Sequence, residues 1–245
     1  SSVDRRHTVD GMIGAFSEAF ELLLSGDPAL WDVIFRSLWV SSAASVLAMV
    51  TAIPLAVLLG TIPFPGRWVI NTVVGSFQAI PAVVVGLLVY LLLTKQGPLG
   101  DLRLLFTSWA ILIAQFILVL PMAVALVTGR MRDLWRRFGD LYRLDGASFG
   151  TRMRALFVMA PGPVIVVGLT VFGRAISEVG AAIIVGGNLE YATRVLTTAI
   201  KLEVEQGKLA EALAFGAVLL LLALIVNLSA RLVTAVLPEQ DLERK

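Results

Sequence analysis

The sequence predicts an all-α membrane protein with five transmembrane helices. Of its 245 residues, 58% are apolar and 16% are charged, whereas about a quarter of the residues in a soluble domain are charged. The charges are crowded into a few segments, and the uncharged runs between them reach the length of about 20 residues that a helix needs to cross the hydrocarbon core. These runs lack the period-2 alternation of transmembrane strands, so their backbone groups must be satisfied within helices.

An amphipathic segment, residues 12–24, precedes the first span. Its apolar side chains recur along one side and its polar side chains along the other, which is typical of a helix at the membrane surface. The sequence Ser-Gly-Asp-Pro at 25–28 then predicts a helix stop and a new start, in which Asp27 caps the next helix and Pro28 takes its first position. We therefore predict an external tail with an interfacial helix over residues 1–35.

The transmembrane domain is predicted over residues 36–236, and a short tail follows at 237–245. Its five spans are predicted at residues 37–62, 68–94, 104–129, 157–187 and 211–232. A long connection at 130–156 precedes the fourth span. Only the fourth span carries charges in its interior, Arg174 and Glu178.

The long connection is predicted to lie in the cytoplasm, because cytoplasmic loops of membrane proteins carry an excess of Lys and Arg. Residues 130–160 contain seven arginines in 31 residues. With five spans, the N-terminus and the loops around 95–103 and 188–210 then lie outside, whereas Arg67 and the C-terminal tail lie inside.

Composition excludes several classes of chemistry. The chain has no cysteine and one histidine, His7, so it offers no thiolate metal site and no cysteine nucleophile. Its Gly207-Lys208 pair is followed by leucine, so a phosphate-binding loop is absent and the chain does not hydrolyse ATP by itself. The Gly-x-Ser-x-Gly match at 146–150 is followed by no histidine, which argues against a hydrolase. A net charge of +2 does not indicate a nucleic-acid partner. We predict no catalytic residue, no metal and no cofactor.

Arg174 and Glu178 are the candidate pathway residues with charge. They are four positions apart and share a helix face, and each charge costs roughly 2.5–3.5 kcal/mol near the bilayer centre unless it is paired or faces water. We therefore expect an ion pair. The pair either fixes helix packing or a dimer seam, or it supplies positive potential along an anion route and changes partners during gating.

Four further candidates follow toward the outer end of the same span. Gly180, Gly186 and Gly187 permit close helix contact or an interrupted helix, and Asn188 can cap the carbonyl groups where the span ends. Backbone and amide donors beside one cation, Arg174, whose charge Glu178 offsets, suit the passage of a small oxyanion, because a tightly binding site would slow its release.

Prolines and glutamines mark the first three spans. Pro54, Pro81 and Pro121 occur one per span, and each removes a backbone hydrogen bond and predicts a kink that serves as ordinary curvature or as a hinge. Gln78 and Gln115 lie well inside their spans, where each either lines a passage or hydrogen-bonds across helices.

The connection at 130–156 also has an apolar face. Large apolar side chains recur at helical spacing among its arginines: Leu134, Trp135, Phe138, Leu141, Tyr142 and Leu144. An exposed helix of this kind needs a partner, either the membrane surface or another protein.

This connection resembles the EAA coupling loop of ABC importer permeases, which docks into the ATPase subunit. Asp140 stands for the acidic residue and Gly146 for the glycine of that motif, but its two small positions hold Leu141 and Tyr142. A second register from Asp145 restores the small residues and leaves threonine in the glycine position. The resemblance implies coupling contacts at Asp140, Leu141, Tyr142, Gly146, Ala147 and Ser148.

A longer resemblance covers residues 172–188, the Thr193-Arg194 pair and residues 197–200. These segments closely resemble the permeases of tungstate importers, and molybdate and sulfate permeases carry a looser version. With the N-terminal segment, the resemblance extends from about Met12 to about Leu232.

The resemblance implies a type I ABC importer permease (MetI-like) fold in a prokaryotic inner membrane, with the N-terminus outside and the C-terminus in the cytoplasm. Two copies of the chain would form the pathway, two separate ATPase subunits would dock on the coupling loop, and an extracytoplasmic binding protein would deliver tungstate. Pathway or gate positions would be Arg174, Glu178, Gly180, Gly186, Gly187 and Asn188. The alternatives are a permease for molybdate or another oxyanion such as sulfate, a passive anion channel that dispenses with the coupling loop, and a membrane enzyme.

Overall fold

The computed structural model describes residues 24–144 and 161–237 and the isolated positions 17, 20, 21, 148, 150, 151, 154 and 158, with the backbone alone for 138–144. These residues form eight α-helices and no β-strand, which confirms the predicted all-α class. The helices are α1 Pro28–Thr61, α2 Arg67–Phe77, α3 Ala82–Leu93, α4 Ser108–Leu144, α5 Pro161–Ile176, α6 Gly180–Gly186, α7 Leu196–Glu205 and α8 Leu209–Val236, with a 3-10 turn at Gly100–Leu102. Most of the predicted interfacial helix at 12–24 lies outside the described residues, and its described positions 17, 20, 21 and 24 are helical.

Helix α1 begins where the sequence predicts a helix start. The Asp27 side chain accepts a hydrogen bond from the Ala29 amide at 2.9 Å, and Pro28 occupies the first helical position. The helix therefore starts before the uncharged run and includes Arg36, which the sequence places ahead of the first span.

Three helices, α1, α4 and α8, are long and apolar enough to cross a membrane. The first two run parallel: the Trp39 and Trp109 rings are 5.7 Å apart, and farther along both helices a β-carbon on Gly60 would lie 2.9 Å from Met131 Cβ. The chain must therefore return between them. We call the two ends of the bundle the Trp39 end and the Met131 end.

Helix α8 runs in the same direction, because Phe215 near its start packs with the start of α1. The α5–α6 segment runs the opposite way. Its start lies beside the end of α8, where a β-carbon on Gly162 would be 2.6 Å from the Leu237 carbonyl oxygen. Its end lies beside the start of α4, where a β-carbon on Gly186 would be 2.8 Å from Ile111 Cδ1.

Helices α1 and α4 pack closely because α1 presents small residues at every fourth position. These residues are fully or almost fully buried: Ala44, Ala48, Ala52, Ala56 and Gly60. In lipid, helix association depends on such close packing rather than on burial of apolar surface from water. The α1–α4 pair therefore forms the centre of the bundle.

Apolar side chains also cover the outer surface. Helix α8 exposes Leu220, Leu221, Leu224, Ile225, Leu228 and Leu232. A surface of this kind is covered by lipid or by another apolar protein surface.

Candidate translocation site at two broken helices

The second and fourth predicted spans are each interrupted in the structure. Helices α2 and α3 meet at 97° and helices α5 and α6 at 59°. At the first break Pro81 precedes α3, and a proline both lacks an N–H and disfavours helical geometry in the residue before it. Pro54 and Pro121 lie inside the unbroken helices α1 and α4. Only one of these three prolines coincides with a break.

The two broken segments pack against each other just beyond their breaks. A β-carbon on Gly180 would lie 2.8 Å from Val83 Cγ2, and one on Gly86 would lie 2.7 Å from the Ala181 Cα atom. Real β-carbons essentially never approach other atoms so closely, so a side chain at either position would force its neighbour to shift, and at Gly86 that neighbour is backbone. This close packing holds α3 against α6.

The predicted ion pair is present at the second break. Arg174 Nη1 and Glu178 Oε2 are 2.7 Å apart, with the Glu178 side chain 6% exposed and that of Arg174 39% exposed. The other carboxylate oxygen accepts a hydrogen bond from the Ala181 amide at 3.2 Å. The carboxylate is therefore satisfied on both oxygens, and part of the guanidinium faces outward.

Two side chains from other helices satisfy backbone carbonyl groups at this break. Thr197 Oγ1 donates to the Glu178 carbonyl at 2.7 Å, and Gln115 Nε2 donates to the Ala175 carbonyl at 3.0 Å. The Gln115 Oε1 atom is buried and has no hydrogen-bond partner among the described residues. Gln115 thus hydrogen-bonds across helices, whereas Gln78 is exposed and donates to the Gly75 carbonyl of its own turn.

The predicted donors at the end of this segment are engaged within the chain. The Gly187 amide donates to the Ile183 carbonyl at 2.9 Å, and Asn188 Nδ2 donates to the Thr198 carbonyl at 3.3 Å. Both residues have a positive φ, and Asn188 Oδ1 is buried with no partner in the described part of the chain. The Gly186 carbonyl accepts a hydrogen bond from Thr193 Oγ1 at 2.6 Å.

Arg36 in α1 is a buried cation that no motif in the sequence marks as functional. It pairs with Asp32 at 2.9 Å and donates to the Tyr191 carbonyl at 2.8 Å. Ser37 Oγ accepts from the Leu196 amide at 2.7 Å. These contacts fix the loop before α7 to α1. Thr193 and Thr197 belong to the segments that carry the family resemblance, but their spacing in the sequence does not predict their carbonyl partners.

The predicted coupling residues lie beyond the Met131 end. Asp140, Leu141 and Tyr142 belong to α4, which continues unbroken from the predicted third span because Met131 and Leu134 are buried in the core. Gly146 and Ala147 lie outside the described residues. Ser148 is exposed, and its Oγ accepts from the Thr151 amide at 3.2 Å.

As a whole, the site combines a close contact between two broken helices with a partly exposed guanidinium that is paired to a buried carboxylate. No cluster of three or more His, Cys, Asp or Glu side chains occurs among the residues that the structure describes. Broken helices near the middle of a transmembrane bundle are where transporters place their substrate and ion sites.

No protein-family model matches the chain. Similar curated proteins include the tungstate uptake system permease protein TupB of Peptoclostridium acidaminophilum, which is 35% identical over 215 residues, 86% of this chain and 93% of the relative. The protein of the same name from Campylobacter jejuni is 34% identical over 223 residues, 91% of this chain and 93% of the relative. A probable anion ABC transporter permease protein of Haloferax volcanii is 39% identical over 197 residues, 78% of this chain and 84% of the relative. Sulfate permeases match at 24–27% identity.

Proposed function

The chain belongs to the ABC transporter permease family that includes the tungstate uptake permeases, and we propose that it is the membrane-spanning subunit of an ATP-driven tungstate importer. The observation that carries the substrate is identity of 34–35% to two tungstate uptake permeases over most of both chains. The sulfate permeases, at 24–27% identity, make sulfate a more distant alternative. Molybdate is the other alternative, because molybdate permeases carry a looser version of the segment at 172–188.

We propose five crossings and a type I (MetI-like) permease fold. Three long helices run in one direction, and a broken segment returns between each successive pair. This arrangement supports counting each broken segment as one span. The seven-arginine connection follows the Met131 end, so the rule for positive loops places that end in the cytoplasm and the Trp39 end outside.

This orientation is tested by side-specific labelling in the cysteine-free chain. Arg137→Cys should react with a membrane-impermeant maleimide only from the cytoplasmic side, and Lys201→Cys only from the outside. Labelling of Arg137→Cys in intact cells would overturn the orientation.

We propose that two copies of the chain work with two separate ATPase subunits and an extracytoplasmic binding protein. Because relatives are named as permeases, ATP hydrolysis is assigned to the partner subunit. The long α4 helix carries Asp140 out of the bundle toward that subunit. At the Trp39 end, an open cleft lined by acidic and basic side chains, including Asp32, Glu190 and Lys208, faces the binding protein.

Coupling is tested by Gly146→Trp, with Lys201→Trp as a matched bulky change at an exposed position of α7. The tryptophan at 146 should weaken pull-down of the ATPase and leave the permease folded, whereas the Lys201→Trp variant should retain the ATPase. Retention of transport and pull-down by Gly146→Trp would contradict the assignment.

In the proposed mechanism, the oxyanion passes the two breaks where α3 and α6 meet. The exposed part of Arg174 supplies positive potential, and its pairing with buried Glu178 prevents a tight trap. Gly180, Gly186, Gly187 and Asn188 shape this segment, and their donors become available to an anion only if the local hydrogen bonds exchange.

The decisive experiment is uptake into vesicles that contain the permease, its ATPase and its binding protein. ATP-dependent accumulation of tungstate is expected, and vesicles without ATP serve as the control. Uptake of sulfate with no response to tungstate or molybdate would refute the substrate, and ATP-independent flux would indicate a channel.

A further inference from the structure

A cationic pocket lies at the Met131 end, between the α1–α2 turn and α4. Arg67, Trp68 and Arg132 line it with neighbouring residues of the turn. The described lining contains both guanidinium groups and no acidic side chain. Two like charges at one pocket attract an anion, because each is otherwise opposed by the other.

The two arginines retain unused donors. Arg67 Nη2 donates to the Gly60 carbonyl at 2.9 Å, which holds that side chain over the end of α1. Arg132 is exposed, and within the described part of the chain neither arginine is ion-paired to a carboxylate. A phosphate group carries the charge and acceptor oxygens that two guanidinium groups can share.

An entirely apolar groove adjoins the pocket and runs along the bundle between α1, α2 and α4. Leu58, Val73 and Pro121 contribute one wall residue from each of these helices, and Phe64 lines both the groove and the pocket. The cationic pocket thus opens directly onto the apolar groove. A free inorganic anion would fill the pocket and leave the groove uncovered.

We propose that this pocket and groove together bind one anionic phospholipid, with its phosphate at Arg67 and Arg132 and an acyl chain in the groove. Basic pockets between transmembrane helices on the cytoplasmic side are suited to such headgroups. Trp68 is 77% exposed at the same mouth, where aromatic side chains sit at the membrane interface.

The lipid also supplies packing that α2 lacks. Helix α2 buries none of its eleven residues in the single chain. An acyl chain between α2 and the α1–α4 pair gives it an apolar contact on the inner side. Bound lipid should therefore stabilise the position of α2 relative to the rest of the bundle. This inference concerns a site distinct from the helix breaks and does not depend on which oxyanion is transported.

The test compares lipid binding by the purified full chain in detergent, measured by native mass spectrometry with phosphatidylglycerol and with phosphatidylcholine of the same acyl chains. The wild type should prefer phosphatidylglycerol. Arg67→Gln with Arg132→Gln should weaken phosphatidylglycerol binding by about tenfold or more. Arg132→Gln alone, which removes no hydrogen bond within the described residues, should cause part of this loss, and Arg132→Lys should largely restore it.

Two controls separate the parts of the site. Arg231→Gln removes an exposed cation in the last part of α8, outside the pocket, and should leave the preference unchanged. Val73→Trp fills the groove and should weaken binding of both lipids.

Three results would overturn the proposal. The first is an unchanged lipid preference in the arginine variants. The second is displacement of phosphatidylglycerol by millimolar tungstate or phosphate with no effect of Val73→Trp, which would make the pocket a free-anion site. The third is loss of dimerisation in Val73→Trp with lipid binding intact, which would assign the groove to a second copy.

Discussion

The two helix breaks differ in how they are held. At the α5–α6 break, Gln115 and Thr197 reach across from other helices to satisfy carbonyl groups, and Glu178 is satisfied on both oxygens. At the α2–α3 break, the Ala79 and Ile80 amides bond only to carbonyls three residues earlier, and α2 has no buried residue.

This difference indicates which break can move. A segment with few buried contacts and only local hydrogen bonds opens at a lower free-energy cost than a segment that neighbouring helices hold by hydrogen bonds. We therefore expect the α5–α6 segment to act as a fixed framework and α2 to change orientation about residues 78–81. The following variants test this contrast, from the largest expected effect to the smallest.

Arg174→Ala should be the most damaging change, because it leaves the buried Glu178 carboxylate without its counter-charge. We expect a loss of about 3 kcal/mol in stability, measured by thermal unfolding in detergent. Glu178→Ala should cost less, since the arginine that remains is 39% exposed and can reach water or the interface. The double variant should recover part of the loss. Strictly additive effects would mean that the two side chains act on other partners.

Gly86→Ala should destabilise the contact between α3 and α6 by about 2 kcal/mol, because the added methyl group meets the Ala181 backbone. The matched change in α2 is Gly75→Ala, where a β-carbon meets nothing within 4 Å. That variant should be neutral or more stable by up to about 1 kcal/mol, because alanine favours helix. Equal destabilisation of both variants would contradict the contrast.

Gln115→Leu should cost about 1.5 kcal/mol, because the cross-helix hydrogen bond to the Ala175 carbonyl is lost and that carbonyl keeps only the Glu178 amide as a donor. Its companion at the other break, Gln78→Leu, should change stability by less than about 0.5 kcal/mol, since that side chain is exposed. Thermal unfolding of both variants provides the comparison. A larger effect at Gln78 would show that the first break is held by contacts outside the single chain.

Thr197→Val should have the smallest measurable effect, about 1 kcal/mol, because one hydrogen bond to a buried carbonyl is lost while side-chain shape is kept. Thr72→Val in α2 is the control. Its hydroxyl bonds only to the Trp68 carbonyl of its own helix and is exposed, so no loss is expected. Amide hydrogen exchange should also rise around residues 178–181 in the Thr197 variant alone. Faster exchange at 78–81 in that variant would mean that the breaks are coupled.

The sequence by itself predicts the features that depend on local chemistry or on composition. Membrane helices follow from uncharged runs, because lipid excludes unpaired charge and unpaired backbone groups. The start of α1 follows from Asp27 and Pro28, and the Arg174–Glu178 pair follows from a spacing of four residues in a helix. The family follows from the segment at 172–188, which the relatives bear out.

Tertiary structure decided what depends on contacts between distant segments. Hydropathy does not distinguish a straight span from the broken α2–α3 and α5–α6 segments, because the two halves of each pair taken together are apolar enough for one span. Each of the first three predicted spans contains one proline, yet only Pro81 lies at a break. Helices α1 and α4 continue through Pro54 and Pro121, where neighbouring residues pack in the core. The carbonyl partners of Gln115 and Thr197 are 60 and 19 residues away in sequence. Periodicity along one helix carries no information about such partners, so only the packed bundle reveals which break is fixed.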